Sequence, residues 1–417
     1  MKRSRHRSPA LILFMIFALL PKLSWPQMTL GQYEDEAPLR TWNTFGFSTA
    51  PSLARGETRF TLASDCSASL SNPALLPALP KFTLALNFSV DTASLFKYSM
   101  VNTGVLYTNK NISLSLLAID FAGASMKIKN WTFALSISLL ENYPRPSVDL
   151  SSYTSTDILS RTFVFDQDGN LKNINFSIAR RVFGNLSVGI GLNYAYGFLE
   201  KNYEDDWVIS NFSFSDRKYY EFQSFYINGG LVLDLTKKIK VAAIFRTPFS
   251  KKADGESLYR YYSPSTDTEI ITEASGRSEY KQPFVAGLGV SYTFSPKLRA
   301  SSDFTFYDWS EYSIVYFGVE GEQKRDFKDI IKVGAGVEYV SPFNIFGLKG
   351  QVPFRAGVSY DPQPMKEPDS AYLYFSLGTG FHWKKIFLDM GMLVGGESGS
   401  GNSLSAKKAT LSLSFRM

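Results

Sequence analysis

Five ionisable side chains, Arg299, Glu338, Arg355, His382 and Asp389, offer the densest candidate chemistry in this chain. Each falls a few residues from a short turn and on the polar parity of an alternating segment. Acids and bases at one level pair with one another, so the first reading is a ring of mixed charge. A histidine beside an acid also suggests a hydrolase, but that chemistry needs a nucleophile singled out among the serines. Glycine and bulky residues flank His382, and no motif marks such a serine. Arg246 and Lys332 lie toward the opposite ends of their segments. One reading makes them solvated rim charges; the other makes one of them the anchor for a ligand carboxylate in an apolar path. The glycine pairs Gly287/Gly289 and Gly334/Gly336 sit inside alternating strands, so they are small inward residues and not phosphate loops.

These positions have meaning only through the elements that carry them. In Pro283–Trp309, Phe284, Ala286, Leu288, Val290, Tyr292 and Phe294 share one parity, while Val285, Gly287, Gly289, Ser291 and Thr293 take the other. After Ser295-Pro296-Lys297 a second arm repeats the pattern, which is a β-hairpin with one apolar face. The alternation predicts strands near 82–91, 101–121, 129–142, 172–181, 186–199, 221–234, 239–247, 283–294, 298–309, 329–339, 352–361, 374–383, 386–394 and 406–416. Fourteen is an even number, as single-chain bacterial barrels require. Short connections, such as 122–128, 182–185, 235–238, 341–351 and 384–385, alternate with long polar ones, such as 143–171, 200–220, 248–282 and 310–328. A sandwich gives no reason for that alternation, whereas a membrane barrel with short periplasmic turns and long outer loops does. The fold class is therefore all-β: a 14-stranded antiparallel transmembrane β-barrel whose strands must close because lipid satisfies no backbone group.

Targeting agrees. Lys2, Arg3, Arg5 and Arg7, the apolar run Ala10–Leu20 and Pro21 form a secretory signal peptide over 1–26. The whole chain has 44 basic and 38 acidic residues. Lys2, Arg3, Arg5, Arg7 and Lys22 leave with the leader, so the mature chain is nearly neutral and no nucleic-acid partner is indicated. Cys66 is the only cysteine and His382 the only mature histidine, which removes disulfides and zinc chemistry from consideration. No cofactor is expected. Residues 27–80 lack alternation and end in Asn72-Pro73-Ala74-Leu75-Leu76-Pro77-Ala78-Leu79-Pro80, a compact piece of short helices and turns before a barrel at 81–417. Taken alone, Asn72-Pro73-Ala74 is a turn starter. Ile158, Leu159, Phe163 and Phe165 are apolar residues in a loop, and either capture hydrophobic ligand or pack the loop on its neighbours.

Asp65–Leu76 with Asn72-Pro73-Ala74, Phe245-Arg246-Thr247-Pro248, Tyr307-Asp308-Trp309-Ser310, Val333–Tyr339 and Phe354–Pro362 together resemble the FadL family of long-chain fatty-acid and hydrocarbon transporters. The resemblance runs from about Gly46 to the C-terminus. It implies an outer-membrane barrel plugged by its N-terminus, with Asn72, Pro73 and Ala74 in the plug and the charge ring holding that hatch. It also implies a monomer, surrounded by outer-membrane lipid, that admits a hydrophobic small molecule such as a long-chain fatty acid. The family's lateral exit lies at a kink in the third strand, for which Trp131–Leu140 supplies neither glycine nor proline. The rival function on this fold is an interaction protein with no transport role.

Overall fold

The structure, a computed structural model, describes residues 46–93, 106–107, 114–143, 145–153, 158–209, 211–263, 267–317, 320–345, 348–367, 369–399 and 405–417. The expected signal peptide and residues 27–45 of the expected hatch lie outside the described residues.

Fourteen wall strands follow the chain. They are β1 (Phe82–Ala93), β2 (Leu114–Ile128), β3 (Trp131–Asn142), β4 (Leu159–Arg181), β5 (Leu186–Trp207), β6 (Phe212–Asp234) and β7 (Ile239–Arg246, continued as Phe249–Ser263). Then come β8 (Thr268–Gln282, continued as Val285–Ser295), β9 (Leu298–Tyr307), β10 (Ile330–Ile345), β11 (Leu348–Pro362), β12 (Ala371–Trp383), β13 (Ile386–Ser398) and β14 (Ser405–Arg416). Each pairs antiparallel with the next, and β1 pairs with β14 from Thr83 opposite Arg416 to Ala93 opposite Ala406, closing the barrel. Both ends of the wall meet at the short-turn side, where the Phe82 and Met417 backbones exchange hydrogen bonds of 2.8 Å.

The two faces invert the rule for soluble proteins. Leu288 is 63%, Phe225 75% and Phe375 63% exposed, while the inward Asn175, Ser177 and Glu338 are at 0%. An apolar exterior around a polar interior satisfies hydrocarbon outside and a folded plug inside.

Several boundaries differ from the alternation. The second strand runs 114–128, so the expected turn at 122–128 is strand, and β10 and β11 likewise consume most of 341–351. The expected long loops 143–171, 200–220 and 248–282 are largely paired strand. For example, Glu200 lies opposite Tyr219, and Tyr259 lies opposite Thr272. Above the membrane the outward face of a strand meets water instead of lipid, so the outward apolar rhythm ends although the ladder continues. The continuous strands β7 and β8 break side by side at Thr247-Pro248 and Pro283-Phe284 because proline cannot donate to a ladder.

The N-terminal segment lies inside this wall. It forms α1 (Ala50–Ala54), α2 (Ala68–Ser71) and a 3-10 turn, Pro73–Ala78. Pro51 and Pro73 stand in first turns, where a missing N–H costs nothing. The Asn72 side chain caps the second of these by accepting the Ala74 N–H at 3.1 Å. Helix α1 packs against β11–β14 and the 3-10 turn against β3–β6, so the segment crosses the lumen from one half of the barrel to the other.

Candidate functional site

The hatch sits on wall glycines. A methyl group at Gly357 would lie 2.0 Å from the Gly56 nitrogen, and one at Gly336 would lie 2.4 Å from the Arg55 carbonyl oxygen. On the opposite wall, Gly189 faces the Pro73 carbonyl carbon at 2.5 Å and Gly230 faces Asn72 Oδ1 at 2.3 Å on the same measure. At Gly357, Gly336 and Gly189 backbone meets backbone, so no side-chain adjustment could relieve an added carbon, while Gly230 leaves room for the Asn72 amide.

Wall polar groups then satisfy the hatch backbone. Asp303 on β9 accepts the successive N–H groups of Arg59 at 2.6 Å and Phe60 at 2.9 Å. Ser412 accepts the Ala50 N–H at 2.8 Å, Ser376 accepts the Gly56 N–H at 3.0 Å, and Asn228 Nδ2 donates to the Ser69 carbonyl at 2.9 Å. Asn72 Nδ2 donates to the Phe60 carbonyl at 2.8 Å, tying the hatch to itself. Each bond contributes about 1 kcal/mol net, but leaving such a buried group unpaired costs more.

The structure brings Arg299, Glu338, Arg355, His382 and Asp389 into one network. Glu338 accepts from Arg299 at 2.6 Å and from Arg355 at 2.5 Å, while Asp389 accepts from Arg355 at 2.8 Å and lies 2.9 Å from His382 Nε2. A sixth member comes from the hatch: Arg55 Nη1 lies 3.1 Å from Glu338 Oε2. Burial lowers the Arg55 pKa to about 10, against the pull of Glu338, so the guanidinium stays charged at neutral pH.

Lys332 and Arg246 are not alike. Lys332 lies 2.7 Å from Glu57 of the hatch and 3.0 Å from Asp361, so two carboxylates already neutralise it. Burial alone would raise the Glu57 carboxyl, but Lys332 and Arg59 outweigh it and hold Glu57 below the usual range. Arg246 has no ion pair among the described residues. It donates to the Pro283 carbonyl at 3.1 Å, inside the paired breaks of β7 and β8, and its guanidinium lies 5.1 Å from the Phe249 ring centre. Tyr226 stacks on Phe249 at 4.7 Å, and Tyr307, Trp309 and Tyr312 continue the buried aromatic layer.

A second buried pair escaped sequence reasoning. Lys251 on β7 reaches 3.0 Å from Glu141 on β3, four strands away, and Tyr143 donates to the same carboxylate at 2.8 Å. The Lys251 ammonium also lies 5.9 Å from the Phe222 and 5.8 Å from the Tyr280 ring centres. Its sequence signal is weak because Lys251 follows Pro248 in a stretch without apolar alternation.

Next to Glu141 the wall is irregular. The β2–β3 ladder stops at Phe121 opposite Ser138, although β2 goes on pairing with β1 to Leu114 and β3 goes on pairing with β4 to Asn142. Register slips at Leu140 in β3 and at Asp120 in β2, where Asn87 Nδ2 donates to Asp120 at 2.7 Å. Ile158 is exposed and Leu159 half-buried at the outer end of β4; Phe163 and Phe165 are on β4, and their side chains lie outside what is described.

In comparisons with known proteins, the family described as outer membrane protein transport protein (OMPP1/FadL/TodX) matches residues 48–394. No curated protein matches the chain. Among solved structures, the toluene transporter TodX of Pseudomonas putida is 15% identical, with a TM-score of 0.65, over 90% of this chain and 99% of that one. A Pseudomonas aeruginosa FadL homologue is 15% identical, with a TM-score of 0.63, over 89% and 99%. The Ralstonia pickettii toluene transporter TbuX is 15% identical, with a TM-score of 0.60, over 90% and 100%. These structures share the fold, and the family is one of transport proteins and not of enzymes. With a closed lipid-facing barrel, an internal hatch and a family match over most of its length, this chain belongs to the FadL/TodX family of bacterial outer-membrane transport proteins.

Proposed function

We propose that the protein takes up long-chain fatty acids or related hydrocarbons, acting as a monomer in outer-membrane lipid and passing ligand beside its N-terminal hatch. Arg246 is the observation that carries the carboxylate half of this reading. It is a buried cation without an ion pair among the described residues, set against the aromatic layer of Tyr226, Phe249 and Tyr307. A long apolar chain on those rings would bring its carboxylate to that guanidinium, where a charge-assisted bond forms in low dielectric. Lys332 serves the hatch instead, through Glu57, together with the charge network around Glu338. Asn72, Pro73 and Ala74 fix the far end of the hatch against β5 and β6.

Ligand enters over the inner faces of the long hairpins. There Tyr203, Phe214 and Tyr259 meet edge to face at ring separations of 5.3 and 5.0 Å, inward of Ile158 and Leu159 and at the register of Phe163 and Phe165. Exit is sideways into lipid at the β2–β3 seam, which the shortened ladder and the slip at Leu140 support. In whole cells expressing the full chain, Arg246→Met should lower uptake of labelled oleate about tenfold and leave uptake of an uncharged aromatic hydrocarbon unchanged. Equal loss of both would reject the anchor. No uptake of either by the folded native protein would favour the interaction-protein reading.

A further inference from the structure

The short-turn end of the barrel is strongly basic. Segments 127–132, 179–187, 233–240, 293–299, 346–353 and 381–387 hold twelve Lys or Arg and a single acid, Asp234. By contrast, the hairpins at the other end, 200–221 and 251–281, hold twelve acids and eight bases. Little of the positive charge is consumed locally: Asp234 pairs with Arg181 and Lys240, and Glu338 with Arg299. Among the described residues, Lys129, Arg180, Lys238, Lys297, Lys384 and Lys385 have no carboxylate partner.

The apolar exterior runs down to these turns without a break. Ile128, Trp131, Phe183, Leu235, Phe294 and Ile386 are all exposed beside the basic residues. The charges therefore stand at the water–hydrocarbon boundary, where lysine and arginine stems lie along apolar surface and extend their heads into the headgroup layer. Two of the cations are held at interfacial rings: Arg180 lies 5.2 Å from the Trp131 ring centre and Lys384 lies 4.9 Å from that of Trp383.

We propose that this rim is a binding surface for anionic phospholipid headgroups of the leaflet that it faces. A soluble acidic partner would be met by charges projecting beyond the apolar surface, whereas here each basic turn is bordered by lipid-facing side chains. A monoanionic phosphodiester satisfies the ammonium groups while its acyl chains cover the adjoining exterior.

The test uses the full mature chain in a non-ionic detergent, titrated with dioleoyl phosphatidylglycerol and dioleoyl phosphatidylcholine in competition, with bound lipid counted by native mass spectrometry. The native protein should retain the anionic lipid about tenfold over the zwitterionic one, and less so at about 0.5 M salt. A variant with Lys237, Lys238, Lys297 and Lys385 each changed to Ser should lose that preference at least tenfold, while a Lys→Arg version keeps it. All four are exposed turn residues whose side chains bond nothing among the described residues. Unaltered heat-modifiable gel mobility confirms that each variant barrel has closed. Equal retention of the two lipids by the native protein, or an unchanged preference in the Ser variant, would overturn the proposal.

Discussion

Gly357→Val separates the hatch from the barrel that holds it. The wall should tolerate the change, because valine suits a strand and Gly357 points inward. The hatch should not, since the first added carbon meets Gly56 N at 2.0 Å, Arg55 C at 2.3 Å and Gly56 Cα at 2.7 Å. Ordinary contact between such atoms requires about 3.5 Å, so the Arg55–Thr58 turn must retreat by more than about 1 Å. That movement breaks the Gly56–Ser376 bond at 3.0 Å, the Thr58–Ser301 bond at 2.6 Å and the Arg55–Glu338 pair at 3.1 Å. At about 1 kcal/mol for each neutral bond and about 2–3 for the charged one, roughly 4–5 kcal/mol of docking is lost. This corresponds to about a thousandfold shift toward an undocked hatch. The variant should keep its heat-modifiable gel mobility, become cleavable by trypsin at Arg55 and Arg59, and show larger single-channel conductance in planar bilayers. Unchanged trypsin resistance together with unchanged conductance would refute the view that close backbone approach seats the hatch.

Two further perturbations test the buried charges. Because Glu57 has a lowered pKa in the folded protein, its contribution is complete above the unfolded value of about 4.3 and disappears only as pH falls through the lower folded one. Hydrogen exchange at residues 55–60 should therefore stay slow from pH 7 down to about pH 4 and quicken below that. In Glu57→Gln this acid step should be absent. Glu141→Gln leaves the buried Lys251 ammonium without its counter-charge and should cost about 3–5 kcal/mol in thermal unfolding. The double change to Met at both positions should recover most of that loss.

Much of the fold was legible because lipid and hatch impose opposite demands on successive residues. Leu288 and Val290 face out while Gly289 and Ser291 face in, and one slip would reverse all of them. Legibility ended where the demand ended. Beyond Tyr196 and Gln223 the outward face meets water instead of lipid, so Glu200 and Tyr219 pair in a ladder that carries no outward apolar rhythm, although Leu199 and Tyr220 beside them stay buried inside. The second strand was misplaced at its inner end because Ala122, Gly123 and Ala124 give no contrast between faces. Charged residues on β9–β13 could be grouped from strand direction, and that grouping located Glu338 and its neighbours. Their hatch partners could not be grouped in this way, since Arg55 and Glu57 belong to a segment without period. The only signal there is Arg55-Gly56-Glu57-Thr58-Arg59, three charges in five residues within an otherwise small and apolar stretch. Glycine or proline would mark a kink in β3 within the sequence, whereas the irregularity there is a change of register, which composition does not record.

The path of the hatch also bears on how the molecule is made. Its first helix leans on the last four strands of the wall and its final turn on the third to sixth, although every hatch residue is synthesised before any of them. Ala50, Arg55 and Gly56 find Ser412, Glu338 and Ser376 only after the chain is nearly complete. The N-terminal segment must therefore wait within the growing curve of the sheet, and the wall has to be drawn shut around it. A wall missing its last strands would leave the Ala50 and Gly56 N–H groups without Ser412 and Ser376, so seating of the hatch and closing of the cylinder are completed together.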